Sequence, residues 1–473
     1  MYTDITYQDW EQIPEHDRPD KMMQIITGYK ASKDFHDALT ANVYFRGENA
    51  EVAAKTILKA RAVQYKDDKG RIRKGTQMKD IAGNRIASSF LFRFITQQNQ
   101  YLLSNGVILK DKAIKDALGS DFDKELERLG EKALIHGVSW GFWNVDHLEV
   151  IEAAKDAHSG AVALLDERTS DPMVLIQFWQ LGGNRPLYVR LFTLDGVAEY
   201  CKEEDKLQEI SQSRRPYIVQ TVTDALGTVE VSGSNYTRLP VIPLFASEEK
   251  RSELTMAIKS KIDAYDRITS DFADNLDRAN DVYWVLNNFG GTMDEVAELL
   301  DQINKVKAVA NISDGSGGGS TAEPHTIEVP YEARRKALDL LERALYQDYM
   351  ALDMDALTGS SLTNVAIRAA TANLELKADR YEWQVRRFVQ DVLTLIGKPS
   401  DDIRFKRQTI ANETEIVANI ASMRQDIDLR TALKLNPYID DEQIEQIVAD
   451  VDAESVTGQP SLEDLEKTLR EDE

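Results

Sequence analysis

Apolar residues recur at spacings of three and four along 254–283: Leu254, Ile258, Ile262, Tyr265, Ile268, Phe272, Leu276, Ala279 and Tyr283. That spacing predicts one helix of about 30 residues, roughly 45 Å long, with a single apolar stripe. Its other face carries Lys259, Asp263, Asp266, Arg267, Asp271 and Asp274 and reads as a solvated, mostly acidic surface. The helical pattern stops at the NNFGG run of 287–291, and a short helix follows, opened by the capping box of Thr292 and Glu295. Strand-like pieces at 308–312 and 326–329 flank the Ser/Gly run 313–320, a loop tip. Pro330 suits the first turn of the next helix, which runs to 352 with Ala337, Leu341, Leu345 and Tyr349 on one side. After the DMDALTGSSL segment of 353–362, Thr363 or Asn364 caps a third helix that stops at Gly397 and Pro399. Two long helices around a small β insert, then a short loop and a third long helix, suit a subunit that spans a particle.

Upstream, 1–20 reads as an arm that is ordered only where it docks. Residues 21–66 look mainly helical, with Ala53, Ile57 and Ala60 on one face. The KDDKGRIRKGTQMK segment of 66–79 reads as a basic loop, either solvated or in contact with an acidic partner. A helix is predicted over 81–103, ended by Asn105-Gly106, and another over 121–136. The Gly- and Trp-rich run 137–143 suits a helix entering a strand. From 148 to 245 the period changes to two. Strands are predicted at 173–178, 187–192, 197–201, 217–222, 228–231 and 239–245. Pro240 and Pro243 put the last of them at a sheet edge. A strand at 403–410 and helices at 413–423, 429–434 and 442–448 precede an acidic end that reads as disordered from about Asp452. The fold class is α+β, predominantly helical.

Composition narrows the function. The 473 residues carry 57 Lys plus Arg against 80 Asp plus Glu, a formal charge of −23. Phosphate neutralisation needs a positive surface, so this is not a general nucleic-acid binder. One cysteine, Cys201, excludes an intrachain disulfide framework. No secretory signal and no apolar run of about 18 residues is present, which argues against membrane insertion. Phosphate-loop, zinc-protease and Cys-x-x-Cys motifs are absent. His136, His147 and His158 are evenly spaced, but the predicted change from helix to strand scatters them. Nothing in the sequence reads as an active site, and no cofactor is implied.

Three segments together resemble the portal, or head-to-tail connector, proteins of tailed double-stranded-DNA phages, of the siphophage type. They are 84–108 followed by ALIHGVSWG at 133–141, then PVIPLFASEEKRSELTMAIKSKIDAY at 240–265 running on to Phe289, then 361–395. The DLRTALKLNPYIDDEQIEQI segment near the C-terminus adds a fourth. Each motif alone is weak, and their order and spacing carry the resemblance. It implies a non-enzymatic portal fold with wing, stem, clip and crown regions, closed into a ring that is usually a dodecamer at one capsid vertex. Double-stranded DNA would pass through the ring during packaging and ejection. Terminase and then a head–tail adaptor would dock on it, and major capsid and scaffolding proteins would surround it. On that pattern 1–20 is an arm, 21–250 the wing, 251–283 and 331–352 the stem, and 284–330 the clip. Residues 353–362 form the tunnel loop, 363–407 return to the wing, and 408–473 form the crown and tail. The resemblance puts Asp353, Asp355, Thr358, Gly359, Ser360, Ser361, Asn364 and Arg368 at the DNA channel. It puts Asn287, Asn288, Thr292, Glu295, Ser313, Gly317 and Glu328 on the clip's partner-binding surface. The alternative is another elongated virion scaffold or adaptor, which would not close into a large ring. A third reading, an acidic metal-dependent nuclease or ATPase, requires metal-dependent DNA cleavage or nucleotide turnover.

Overall fold

The computed structural model describes residues 3–56, 58–66, 72–80, 83–204, 206–211, 214–223, 229–279, 283–287, 321–325, 331–354, 363–408, 413–423, 427–436, 439 and 444–449. The chain opens with helix α1 (Tyr7–Glu11), where Thr6 and Asp9 form a capping box. Its Trp10 is fully buried. Gln8 donates to Asp166 at 2.6 Å and Arg214 pairs with Glu15 at 2.6 Å, so the predicted arm docks on the body of its own chain. Helices α2 (Arg18–Ala31) and α3 (Lys33–Phe45) meet at Ser32, whose hydroxyl caps α3. After α4 (Ala50–Ala53) comes an antiparallel hairpin, β1 (Leu58–Lys66) with β2 (Ile72–Asp80). The sequence predicts helix to 66 and a loop to 79. The hairpin replaces both: the alternation in β1 is short, over 58–62, β2 has only Ile72 and Met78 as large apolar residues, and the two strands are defined by pairing with each other.

Helix α5 (Phe90–Leu103) starts nine residues later than predicted from Ile81, and 83–89 is not helical. Strand β3 (Val107–Leu109), α6 (Lys112–Ala117) and α7 (Phe122–His136) follow. Gly137 ends α7 in the left-handed region at φ +90, where a Cβ would meet the Lys250 carbonyl at 2.8 Å. Then come β4 (Val138–Asn144), β5 (His147–Glu152), β6 (Ala154–Asp156), β7 (Ser159–Leu165), β8 (Pro172–Trp179), β9 (Tyr188–Thr193), β10 (Gly196–Glu203) and β11 (Lys206–Glu209). A six-stranded antiparallel sheet runs in the order β11-β10-β9-β8-β7-β6. Strands β12 (Ile218–Thr223) and β13 (Val229–Ser234) form a hairpin. Strand β14 (Val241–Phe245) is at the edge of β14-β4-β5, as its prolines predict.

Helix α8 (Met256–Ala279) is 24 residues long, shorter than its stripe predicts. Tyr283 lies instead in β15 (Tyr283–Asn287), which pairs antiparallel with β16 (Thr321–His325). The predicted short helix at 293–307 and strands at 308–312 and 326–329 lie outside the described residues. Helix α9 (Tyr331–Tyr349) and α10 (Asn364–Leu395) follow the predicted limits closely. Strand β17 (Ile403–Phe405) pairs with β3. Helices α11 (Glu413–Ser422) and α12 (Leu429–Leu435) follow, and 444–449 is helical.

Two cores result. One packs α1, α2 and α3 on the six-stranded sheet through Trp10, Ile25, Tyr29, Phe35, Val162, Ile176 and Phe178. The other gathers α5, α7 and the three-stranded sheet around α10, whose Tyr381, Val385, Phe388, Val389 and Val392 are buried. Each fully buried large apolar side chain contributes roughly 1.5–3 kcal/mol. The long helices therefore grow out of a body with its own core, an α+β protein.

Candidate functional site

Helix α8 meets the extended segment 83–89 along a polar row. The Ser88 N–H donates to Asp266 at 2.9 Å, the Ile86 N–H to Ser270 Oγ at 2.9 Å and the Asn84 N–H to Asp274 at 2.8 Å. Asn49 also donates to Asp266, and Lys55 bridges Asp271 at 2.9 Å and Asp274 at 2.7 Å. Asp266, Ser270 and Asp274 are 1%, 0% and 5% exposed, so this part of the face is not solvated as the sequence predicts. An extended chain offers an unpaired N–H at every second residue, and these side chains accept them. Burial pushes the Asp266 carboxyl above its usual range. Burial pushes Asp274 up as well, but hydrogen bonds from Lys55 and Asn84 outweigh it and hold that carboxyl below its usual value.

Helix α9 packs on α8 through Phe272 and Tyr331, with ring centroids 5.8 Å apart, and through an ion pair between Lys261 and Asp348. It ends in a Schellman turn. The Ala351 N–H donates to the Tyr346 carbonyl at 3.0 Å and the Met350 N–H to the Gln347 carbonyl at 3.2 Å. Met350, at φ +64, takes the left-handed position usually given to glycine. Helix α5 secures this end: Phe94 stacks on Tyr349 at 4.6 Å, and the Tyr349 hydroxyl donates to Gln98 at 2.8 Å. Lys377 of α10 donates to the Tyr349 carbonyl at 2.9 Å, lies over its ring and pairs with Glu253 at 2.7 Å. Burial lowers the Lys377 pKa and Glu253 opposes that shift. Gln97 bonds both the N–H and the carbonyl of Leu352.

At the far side of 353–362, Thr363 caps α10 by accepting from the Ala366 N–H at 3.3 Å. The Asn364 N–H donates to Glu415 of α11 at 2.7 Å. Of the expected channel residues, Asp353 is half-buried directly after the Gln97 clasp, Asn364 opens α10 and Arg368 is exposed one turn on. Asp355, Thr358, Gly359, Ser360 and Ser361 lie outside the described residues. Of the expected clip residues, Asn287 closes β15 opposite Thr321. Asn288, Thr292, Glu295, Ser313, Gly317 and Glu328 lie outside the described residues. Sequence reasoning missed Gln97, Gln98 and Lys377. The run Gln97-Gln98-Asn99, three amides inside an apolar helix, was the available signal, since buried amides need fixed partners.

A sequence profile described as "Phage portal protein, SPP1 Gp6-like" matches residues 25–456. The portal protein of Clostridium phage phiCD119 (strain Clostridium difficile/United States/Govind/2006) is 22% identical over 447 residues, spanning 89% of this chain and 93% of the relative. The portal protein of Bacillus phage SPP1 is 24% identical over 393 residues, spanning 76% of this chain and 75% of the relative. No helix among the described residues is long and apolar enough to cross a membrane. The chain belongs to the SPP1 Gp6-like family of phage portal proteins, and so is a structural component of the virion and not an enzyme.

Proposed function

We propose that copies of this chain close into a ring, a dodecamer by resemblance, at one vertex of the capsid. Double-stranded DNA passes through its channel during packaging and again during ejection. The observation that carries this reading is the helix pair α8–α9. It leaves a body with its own core, continues into the β15–β16 ribbon at one end, and leads through 353–362 into α10 at the other. On this reading 21–250 is the wing, with the 1–20 arm packed on it, and α8 and α9 are the stem. Residues 284–330 are the clip, 353–362 the tunnel loop, and 408–473 the crown and tail. Two five-residue strands bury too little to be stable alone. Neighbouring copies complete the clip, and the clip receives terminase during packaging and the head–tail adaptor afterwards. Major capsid and scaffolding proteins surround the wing, and the ring assembles in the host cytoplasm without a membrane.

The tunnel loop, with Asp353, Asp355 and the small residues 358–361, faces the duplex without gripping it. Arg368 supplies a basic contact beside it. Light scattering over a range of concentrations and micrographs viewed down the ring axis test the central claim. Closed rings are expected, and a monomer at every concentration with no rings in micrographs overturns it. The Asp353→Lys/Asp355→Lys double variant tests the loop. It should still form rings yet package less DNA per particle, with the deficit relieved by salt.

A further inference from the structure

Helix α10 has two apolar faces on opposite sides. One, with Ile367, Leu374, Ala378, Tyr381, Val385 and Val392, is buried in the body of the protein. The other carries Val365, Ala369, Ala372, Leu376 and Trp383, all exposed. At 3.6 residues per turn these five lie within about 60° of one another, on a strip roughly 27 Å long. Val365, Leu376 and Trp383 are 76%, 58% and 70% exposed. A helix that is apolar on both sides is normally covered on both, and a contiguous exposed patch of this kind marks an interaction site.

We propose that a second copy of this chain, the next one round the ring, covers the Val365–Leu376–Trp383 strip. The inference rests on the ring reading above and names one surface through which the ring closes. One observation favours a copy over a separate peptide or an isolated two-fold pair: the area of the strip. A strip about 27 Å long and one helix wide (roughly 10 Å) buries a few hundred Å², well short of the roughly 800 Å² per partner of a stable interface. It therefore works as part of a longer seam, which successive copies in a ring provide.

The test is the Leu376→Glu/Trp383→Glu double variant of the full chain. Both positions are exposed, so the circular dichroism spectrum and melting temperature of the unassembled chain should match wild type. Ring closure, read by light scattering, should need at least about ten-fold more protein. Acrylamide quenching gives a second readout, with the Trp383→Phe variant used to isolate that residue's emission. Trp383 should be open to quencher in the monomer and protected in the ring. Rings that form at wild-type concentrations from the double variant overturn the proposal, as does a Trp383 still open to quencher in the closed ring. A wild-type chain that never closes overturns the ring reading itself, so the two failures are distinguishable.

Discussion

Gln97 clasps the backbone of Leu352 at both polar groups. Its side-chain N–H donates to the Leu352 carbonyl at 3.0 Å, and its side-chain carbonyl accepts the Leu352 N–H at 2.9 Å. Leu352 is buried and Asp353 follows it, so the clasp fixes where the 353–362 loop begins. Replacing Gln97 with Leu should leave both backbone groups unpaired, at about 1–3 kcal/mol each. The Leu352 amide should then exchange with solvent at least about ten-fold faster, and Gln97→Glu, which keeps only the acceptor, should fall between. Identical exchange in all three proteins would rule out the clasp as the loop's anchor.

The Lys55 bridge should matter more than an ordinary surface pair. Lys55 is 11% and Asp274 5% exposed in their side chains, so removing one charge strands the other away from water. Asp274→Ala should destabilise by about 3 kcal/mol in urea unfolding, the low end for a broken buried pair because Asp271 remains. A Lys55→Met/Asp274→Leu double variant should recover part of that loss. The pH dependence has a definite sign. The folded Asp274 pKa lies below its unfolded value, so its contribution is complete above the unfolded carboxylate pKa and is lost as pH falls through the folded one.

His136 gives a second acid-sensitive point. Burial, with Lys132 adding repulsion, pushes its pKa down to about 3 from an ordinary 6.5. The unfolded chain takes up this proton and the folded one does not. The contribution is therefore intact above pH 6.5 and is lost progressively as pH falls towards 3, to a limit of roughly 4–5 kcal/mol. His136→Phe should flatten this part of the stability-against-pH curve. An unchanged slope between pH 6 and pH 4, on the order of the wild-type slope, would assign the acid sensitivity elsewhere.

Gly130 of α7 sets how closely α7, α5 and α10 approach. A Cβ there would overlap the Tyr381 hydroxyl and come within 2.6 Å of Asn99 Oδ1. Tyr381 and Asn99 are themselves hydrogen-bonded at 3.2 Å and buried. Gly130→Ala should therefore destabilise by about 1–3 kcal/mol despite Ala's better helix propensity. Gly130→Ala combined with Tyr381→Phe should recover part of that, as read by thermal melting.

The best-read part of the chain was α10, where Thr363, a long apolar period and Gly397 supply a start, a stripe and a stop. Strands β8, β9, β10 and β14 were also legible, since Pro, Gly and Asn separate them. Strands β4 and β7 were not fully read because they are buried on both sides and show no alternation. The 83–89 segment misled for another reason. Ile86, Phe90 and Phe94 sit at helical spacing, but the N–H groups of Asn84, Ile86 and Ser88 bond to α8, more than 170 residues away. For the same reason the acids of α8 looked solvated: periodicity shows which side chains share a face, not what lies opposite. Around the loop, the helices were readable and the clasps were not, because Gln97 and Lys377 acquire their meaning only from tertiary packing.

The row joining α8 to 83–89 also limits how the helix can travel. Four helical residues advance about 6.0 Å and two extended residues about 6.6 Å. The two rulers nearly coincide for three marks, drift by roughly 1.2 Å over the pair of intervals, and would part company if extended much further. The Lys55 side chain adds ion pairs to Asp271 and Asp274 at one end of the row. A slide of α8 by half a mark leaves all three N–H groups facing gaps at once, so the contact behaves as a detent. The marks on the helix are about 6.0 Å apart, so only a shift of a whole mark would bring acceptors opposite N–H groups again, and no halfway position is stable.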